Sequence, residues 1–411
     1  MKKGFILIVL LLINAGFAFS ASSLVNTELN EIGINTVTTS VPFLTIAPDS
    51  RAGGMGDVGA ATSPDANSMH WNPSKYAFID DQMGVSVSYT PWLRTLVPDI
   101  SLSYLSGYYK LKKGNVIAAS LRYFSLGNIQ FTDAAGNATS QFTPNEFAFD
   151  MAYAQKLAKR WSAAMTMRYI YSNLTGGTFV SGAATRPGQS VAADLSTFYQ
   201  NKDIKIGDKK SIFAAGVDIS NIGEKISYSG SSADENFIPT NLRIGGSLTI
   251  QLDEYNSISF NADANKLLVP TPPIYDTANG GIKYDADGNP VILAGRNPNR
   301  SVVSGMFGSF TDAPGGFKEE MQEINYSVGV EYWYEKQFAL RMGYFYEYPY
   351  QGDVQYFTAG IGLRYNVFTL DFSYLVPNNQ TKNPLANTLR FSLSFNIDAL
   401  KSAKKEDVTP E

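Results

Sequence analysis

Asn387-Thr388-Leu389-Arg390-Phe391-Ser392-Leu393-Ser394-Phe395-Asn396 is the stretch that decides the fold. Leu389, Phe391, Leu393 and Phe395 fall on one face, and Thr388, Arg390, Ser392, Ser394 and Asn396 on the other. That period of two is the signature of a β-strand with one apolar and one polar side. The same alternation recurs upstream. Residues 146–155 set Phe147, Phe149, Met151 and Tyr153 against Ala148, Asp150, Ala152 and Ala154, and residues 161–171 set Trp161, Met165, Met167, Tyr169 and Tyr171 against Ser162, Thr166 and Arg168.

Alternation fits two architectures. A soluble sandwich turns its apolar face inward, whereas an outer-membrane barrel turns it to lipid and its polar face to the lumen. The connections decide between them. Strands are expected near 83–91, 99–110, 114–125, 144–156, 160–173, 189–200, 211–219, 240–251, 255–266, 322–334, 337–348, 354–365, 367–376 and 387–397. Tight turns at Lys112-Lys113-Gly114, Ala158-Lys159, Asp253-Glu254, Glu335-Lys336 and Tyr365-Asn366 alternate with longer loops at 126–143, 174–188, 220–239, 267–321 and 377–386. The ten-residue turn at 201–210 and the short loops at 92–98 and 349–353 depart from that rhythm. Short turns at one end and long loops at the other mark an outer-membrane barrel, with the even strand number returning both termini to the periplasm, where a cleaved signal peptide leaves the N-terminus. Tyrosines crowd strand ends, as in Tyr332-Trp333-Tyr334 and Tyr344-Phe345-Tyr346, where amphipathic rings suit a headgroup boundary. The expected fold is all-β: a transmembrane antiparallel β-barrel of about fourteen strands.

Composition agrees. Aromatic residues make up 13% of the chain, yet the mean hydropathy is −0.12, as expected of a wall apolar on one side and polar on the other. Cysteine is absent, which removes thiol chemistry, and a net charge of −4 without a basic run argues against nucleic-acid binding. Lys2, Lys3, the apolar run Phe5 to Ile13 and Ala18-Phe19-Ser20 read as a cleavable signal peptide over 1–20. The expected organisation is then a plug segment, periplasmic or lumenal, over 21–82, the barrel over 83–397 with a long external loop at 267–321, and a charged periplasmic tail over 398–411.

The plug segment does not alternate. It is rich in glycine, proline and aspartate: Pro48-Asp49-Ser50-Arg51-Ala52-Gly53-Gly54-Met55-Gly56-Asp57, then His70-Trp71-Asn72-Pro73-Ser74-Lys75. Such irregular backbone is excluded from lipid and belongs in the lumen or the periplasm. Arg51, Gly53, Gly54, Gly56, Trp71, Asn72 and Pro73 are its expected working residues. Gly54-Met55-Gly56-Asp57-Val58-Gly59 matches a dinucleotide fingerprint, but no strand–turn–helix context surrounds it, so the glycines are read as tight turns against the wall. His70 is the only histidine and has no cysteine or carboxylate cluster nearby in sequence, so it is assigned to packing. Asp285-Ala286-Asp287-Gly288-Asn289 lacks the remaining ligands of a calcium loop and reads as a hairpin turn. No catalytic, cofactor or metal site is expected. The inward face should carry Arg122, Asp150, Arg168, Asp194, Asp218, Arg243, Asp263, Glu331, Arg341, Arg364, Asp371 and Arg390. Mixed signs in a narrow lumen point to an ion-pair network and not to a selective pore.

The long loop holds Arg296 and Arg300, then Gly305-Met306-Phe307-Gly308-Ser309-Phe310 and Phe317. Arg296, Arg300, Met306, Phe307, Phe310 and Phe317 are the candidate partner-binding residues, since a loop this long is functional or disordered.

Pro48 to Asp57, Ser63-Pro64-Asp65, Ser68 to Phe78 and Gly308 to Phe317 together closely resemble the PorV family of type IX secretion, itself similar to the fourteen-stranded, plugged FadL barrels. Ser74 stands where FadL proteins carry the alanine of an Asn-Pro-Ala motif. The resemblance implies an outer-membrane carrier without catalysis. It would bind the C-terminal signal domain of cargo at a SprA-type translocon and deliver it to an attachment complex of PorU sortase, PorQ and PorZ. The alternative is a FadL-like channel for hydrophobic small molecules, which calls for a greasy lumen.

Overall fold

The computed structural model describes residues 35–92, 99–111, 114–132, 138–177, 179–180, 183–229, 235–278, 281–349, 351–378 and 388–397. The expected signal peptide and charged tail lie outside these residues, as do Lys112, Lys113 and residues 21–34 of the plug.

Fourteen strands close into one barrel with each neighbour antiparallel. They are β1 Met83–Pro91, β2 Ile100–Lys110, β3 Asn115–Leu126, β4 Asn145–Ala158, β5 Trp161–Asn173, β6 Gly188–Ile206 and β7 Lys209–Gly223. The second half is β8 Asn241–Gln251, β9 Asn256–Leu267, β10 Ile324–Tyr334, β11 Phe338–Tyr346, β12 Gln355–Tyr365, β13 Phe368–Pro377 and β14 Leu389–Asn396. β1 pairs with β14 through Gly84↔Asn396 to Tyr89↔Phe391, and that seam closes the sheet into a barrel. Among the described residues no helix is long and apolar enough to cross a membrane; the crossing elements are strands.

The alternation maps onto the wall with apolar residues outward. Val87, Leu105, Met151, Met167 and Met342 are exposed, while Ser86, Ser88, Ser106, Ser120, Arg122, Asp150 and Arg168 are buried inside. An exposed belt of large apolar side chains around a polar interior is the arrangement a bilayer demands and water forbids. Turn chemistry closes the hairpins. Glu335 and Lys336 both take positive φ, as a two-residue turn matched to strand twist requires, and Gly114, Gly207 and Asn366 do the same at their turns. One expected turn is instead strand: residues 201–210 form the far end of a long β6–β7 hairpin that bends back at Gly207-Asp208. The break in the sequence pattern there reflects lysine and aspartate on exposed strand, which dilute the apolar alternation.

Residues 35–82 fill the lumen, running from the loop end to the turn end. Asn35 lies among the long loops, donating to the Pro272 carbonyl (3.2 Å) and to Glu319 Oε1 (2.8 Å). Ser40 N donates to the Phe237 carbonyl (2.9 Å). Phe43, on the short 3₁₀ turn Pro42–Thr45, packs with Leu102, Phe124, Ile170, Ile226 and Ile238 as an apolar layer beneath the loops. Helix α1 (Ser50–Gly53) lies against β12, β13 and β14, and helix α2 (Ser68–Trp71) leads into a 3₁₀ segment, Pro73–Phe78, against β4, β5 and β6. The segment leaves at the turn end, where Lys110 Nζ holds the Ile79 carbonyl (2.7 Å). Met83 and Asn396 lie at the turn end, whereas Asn35, the first described residue of the plug, lies among the long loops, so the described chain enters the lumen from the mouth opposite to the one expected of its N-terminus.

Candidate functional site: the lumen plug and the long loop

The plug is held by charges that barrel strands point inward. Arg51 grips Glu331 of β10 with two parallel bonds, Nε to Oε1 (2.9 Å) and Nη2 to Oε2 (2.8 Å), and reaches back to Asp65 (2.7 Å) and to Ser63. Arg341 of β11 also donates to Glu331 (2.9 Å) and to Asp371 of β13 (2.7 Å). Asp57 pairs with Arg390 of β14 and accepts from the Tyr356 hydroxyl of β12. Ser50 N donates to Ser392 Oγ (2.8 Å), and Asp263 of β9 accepts both Gly59 N (2.7 Å) and Ala60 N (2.8 Å). Away from the plug, Arg168 joins Asp150 (2.5 Å) to Asp194 (3.0 Å). Buried pairs of this kind tolerate burial only because each partner is multiply bonded, and removing one member strands the others.

Close approach explains the glycines on both sides. Gly56 has φ of 71°, and a Cβ there would sit 2.7 Å from the Tyr344 backbone. Conversely a Cβ on Gly343 of β11 would lie 2.0 Å from the Met55 carbonyl carbon. Plug backbone therefore rests directly on wall backbone, which only residues lacking Cβ permit. Gly53 similarly leaves room for the Arg390 guanidinium, and Gly54 faces Gly360. The dinucleotide-like run is thus a packing device.

Trp71 donates from Nε1 to Asp49 (2.6 Å), the residue that caps α1 by accepting from Ala52 N (3.0 Å). The Arg243 guanidinium lies over the Trp71 ring, 4.8 Å from its centre. Asn72 joins the Ala60 carbonyl (3.0 Å) to the Thr197 carbonyl of β6 (3.1 Å) and accepts from Ser74 N (3.1 Å). Pro73 opens the 3₁₀ segment, where its fixed φ and missing N–H cost nothing. His70 meets Arg122 Nη2 through Nδ1 (2.6 Å) inside the protein. Cavities lie on each side of the plug. One of about 270 Å³ is lined by Arg51, Ser63, Glu331, Trp333 and Arg364, and one of about 260 Å³ by Leu44, Trp71, Trp92, Arg243 and Tyr356. No residue lines both.

The long loop is folded. Ile274–Tyr275 pairs with Ile292–Ala294, and Thr277–Ala278 with Gly281–Ile282. Asp285 Oδ1 accepts Asp287 N (3.0 Å) and Asn289 N (2.8 Å), and Gly288 takes φ of 81°, so the clustered carboxylates build a turn. Two short helices follow, α3 (Val302–Gly308) and α4 (Phe317–Gln322). α4 is anchored by Lys266, which pairs with Glu320 (3.0 Å) and Glu323, while Thr271 Oγ1 donates to Glu323 Oε1 (2.7 Å). Burial raises the carboxyls of Glu323 and Asp312 above their ordinary values.

The loop candidates divide by position. Phe307 and Phe317 are about three-quarters exposed (76% and 78%), and Phe310 is exposed as well. Val303 and Met321, absent from the sequence reading, are further exposed apolar residues of α3 and α4. Met306 is half-buried. Arg300 donates to the Asn297 carbonyl (2.6 Å) and faces Asp312 at 3.9 Å, a structural role, whereas Arg296 is exposed. Asn35, Lys266, Glu320 and the wall glycines were missed. Glycine inside a strand is itself a signal of close backbone approach.

The fold and these sites can be set beside known proteins. Structural similarity is found to the Ralstonia pickettii toluene transporter TbuX at 10% identity, covering 85% of this chain and 96% of that one with a TM-score of 0.42. The Pseudomonas putida toluene transporter TodX is similar at 12% identity, 85% and 98% coverage and a TM-score of 0.42. A Pseudomonas aeruginosa FadL homologue is similar at 10% identity, 88% and 99% coverage and a TM-score of 0.40. No curated protein matches the sequence. A family model described as type IX secretion system protein PorV matches residues 29–274, which take in the plug, the first nine strands and the start of the long loop. This outer-membrane barrel belongs to the PorV family of the type IX secretion system.

Proposed function

We propose that the chain is a non-enzymatic cargo carrier whose working surface is the loop end, facing the cell exterior. It receives the C-terminal signal domain of a secreted protein at a SprA-type translocon and hands it to a surface attachment complex containing the PorU sortase, PorQ and PorZ. The observation that carries this reading is the pairing of a filled lumen with an exposed apolar surface on the folded loop. Phe307, Phe317, Val303 and Met321 are exposed on the short helices α3 and α4, the second of which is fixed to the rim by Lys266, Glu320 and Glu323. Exposed apolar side chains on folded elements are what a protein partner buries. A channel for hydrophobic molecules would need a continuous apolar path, and here the two lumen cavities share no lining residue and one of them is lined by the Arg51–Glu331 and Arg341–Asp371 pairs.

Deleting residues 280–316 tests the reading. The anchoring residues Lys266, Glu320 and Glu323 lie outside that span, so the barrel and its rim remain. The expected result is a folded barrel in the outer membrane that no longer co-purifies with cargo or translocon. Unchanged co-purification would reject the loop as the docking surface.

A further inference from the structure

The β6–β7 hairpin outlasts its neighbour. Pairing between β5 and β6 ends at Trp161↔Tyr199, and Gln200 N then donates to the Arg160 carbonyl (2.9 Å). β6 nevertheless runs on to Ile206, paired only with β7 among the described residues, with a bulge between Asn201 and Ile204. At ~3.3 Å per residue this end projects by roughly 20 Å along the strand, with one edge open.

Beside its base lies a cavity of about 290 Å³ at the turn end, between the plug segment Ala77, Phe78, Ile79 and the wall. Five cations line it, Lys110, Lys156, Lys159, Arg160 and Lys202, against two carboxylates, Asp80 and Asp203, an excess of three positive charges. Asp203 is already shared by Lys159 (3.1 Å) and Arg160 (3.0 Å). The hairpin beyond adds Lys205, Lys209 and Lys210 with Asp208, all exposed. The opposite arc of the same rim lacks this excess: Asp253 is consumed by its own turn, accepting Tyr255 N and Asn256 N, and Glu254 and Glu335 stand with Lys336.

We propose that this mouth binds an extended acidic polypeptide segment of a partner at the turn end, a site separate from the loop surface. Two of these cations turn toward the plug: Lys110 Nζ holds the Ile79 carbonyl, and Lys156 Nζ lies 4.6 Å from the centre of the Phe78 ring. The lipid-facing side at this level carries Leu157, Trp161 and Phe213 instead, so bilayer phosphates are not the natural counter-charge. The open edge of β6 offers main-chain pairing to an extended chain, and its lysines repel a second copy of the same edge while admitting an acidic one.

The test uses the full-length protein in zwitterionic nanodiscs and a fluorescent nonapeptide of alternating Glu and Val, read by anisotropy. The expected result is binding that weakens at least tenfold from 50 to 500 mM NaCl. The triple variant K202E/K205E/K209E, checked for intact barrel by heat-modifiable gel mobility, loses at least tenfold. A peptide N-methylated at alternate residues, with the same charge, also loses binding. Absence of binding, equal binding of the Lys/Val analogue, or binding that appears only when residues 398–411 are removed or anionic lipid is added would overturn the proposal.

Discussion

Replacing Arg51 with Met removes the strongest single tether between plug and barrel. Arg51 donates two bonds to Glu331, whose side chain is 4% exposed, and further bonds to Asp65 and Ser63. Breaking a buried ion pair by removing one partner costs about 3–5 kcal/mol, because the other charge stays buried. Glu331 keeps one bond from Arg341, at 2.9 Å, so the cost should fall at the low end, ~3 kcal/mol by that range. At 1.4 kcal/mol per decade this is a shift of roughly a hundredfold in the unfolding equilibrium. The assay is urea unfolding of the barrel in liposomes, followed by tryptophan fluorescence and gel mobility. Neutralising the stranded acid as well, in Arg51→Met/Glu331→Gln, should cost clearly less than the sum of the two single changes. A single-variant loss below about 1 kcal/mol, or strict additivity in the double variant, would refute the view that buried charge holds the plug.

Four further outcomes are expected. Gly343→Val places side-chain atoms where Met55 backbone already lies, so the plug must move; planar-bilayer recordings should show conductance in the variant and none in the parent. Phe307→Ser with Phe317→Ser should change barrel stability by less than about 0.5 kcal/mol, as for other exposed positions, while reducing cargo co-purification. Lys266→Met leaves Glu320 and Glu323 buried without their cation, and amide exchange across 313–323 should accelerate tenfold or more while that of the strands is unchanged. Burial raises Asp312, so the folded loop holds a proton there that the unfolded loop has released. Its contribution to the loop's resistance to proteolysis should be present below pH ~4 and be lost as pH rises through the raised value, a dependence that Asp312→Asn should remove.

Strands were the most legible part of the chain. Each of the fourteen announces itself by alternation, and positive-φ turns such as Glu335-Lys336 fix where one ends and the next begins. The inward charges were legible for the same reason, since Arg168, Arg341 and Arg390 sit on the polar parity of their strands. Their partners were not. Whether Arg390 meets Asp57 or Asp49 depends on how an irregular segment lies in the lumen, and irregular backbone has no period to read. The direction of the plug was hidden for a similar reason: strand count sets where Met83 starts but says nothing of where Asn35 rests. The hairpin over 201–210 was mistaken for a turn because its lysines obscure the apolar face. Exposure of Phe307 and Phe317 was anticipated from composition, but the clamp by Lys266 joins residues more than fifty positions apart, beyond any local pattern.

The seam between β1 and β14 gives the plug one more consequence. That junction is short, from Gly84↔Asn396 to Tyr89↔Phe391, and it is the one that joins the first strand to the last. From inside, the plug is fastened to β14 by Ser50 N on Ser392 Oγ and by Asp57 on Arg390, while Ser88 of β1 shares the same Ser392 hydroxyl at 2.7 Å. One serine therefore links first strand, last strand and plug. A barrel closing around this segment during assembly has its final register checked by an internal template, and a seam reopened later must either carry the plug with β14 or break its buried charges in water-poor surroundings.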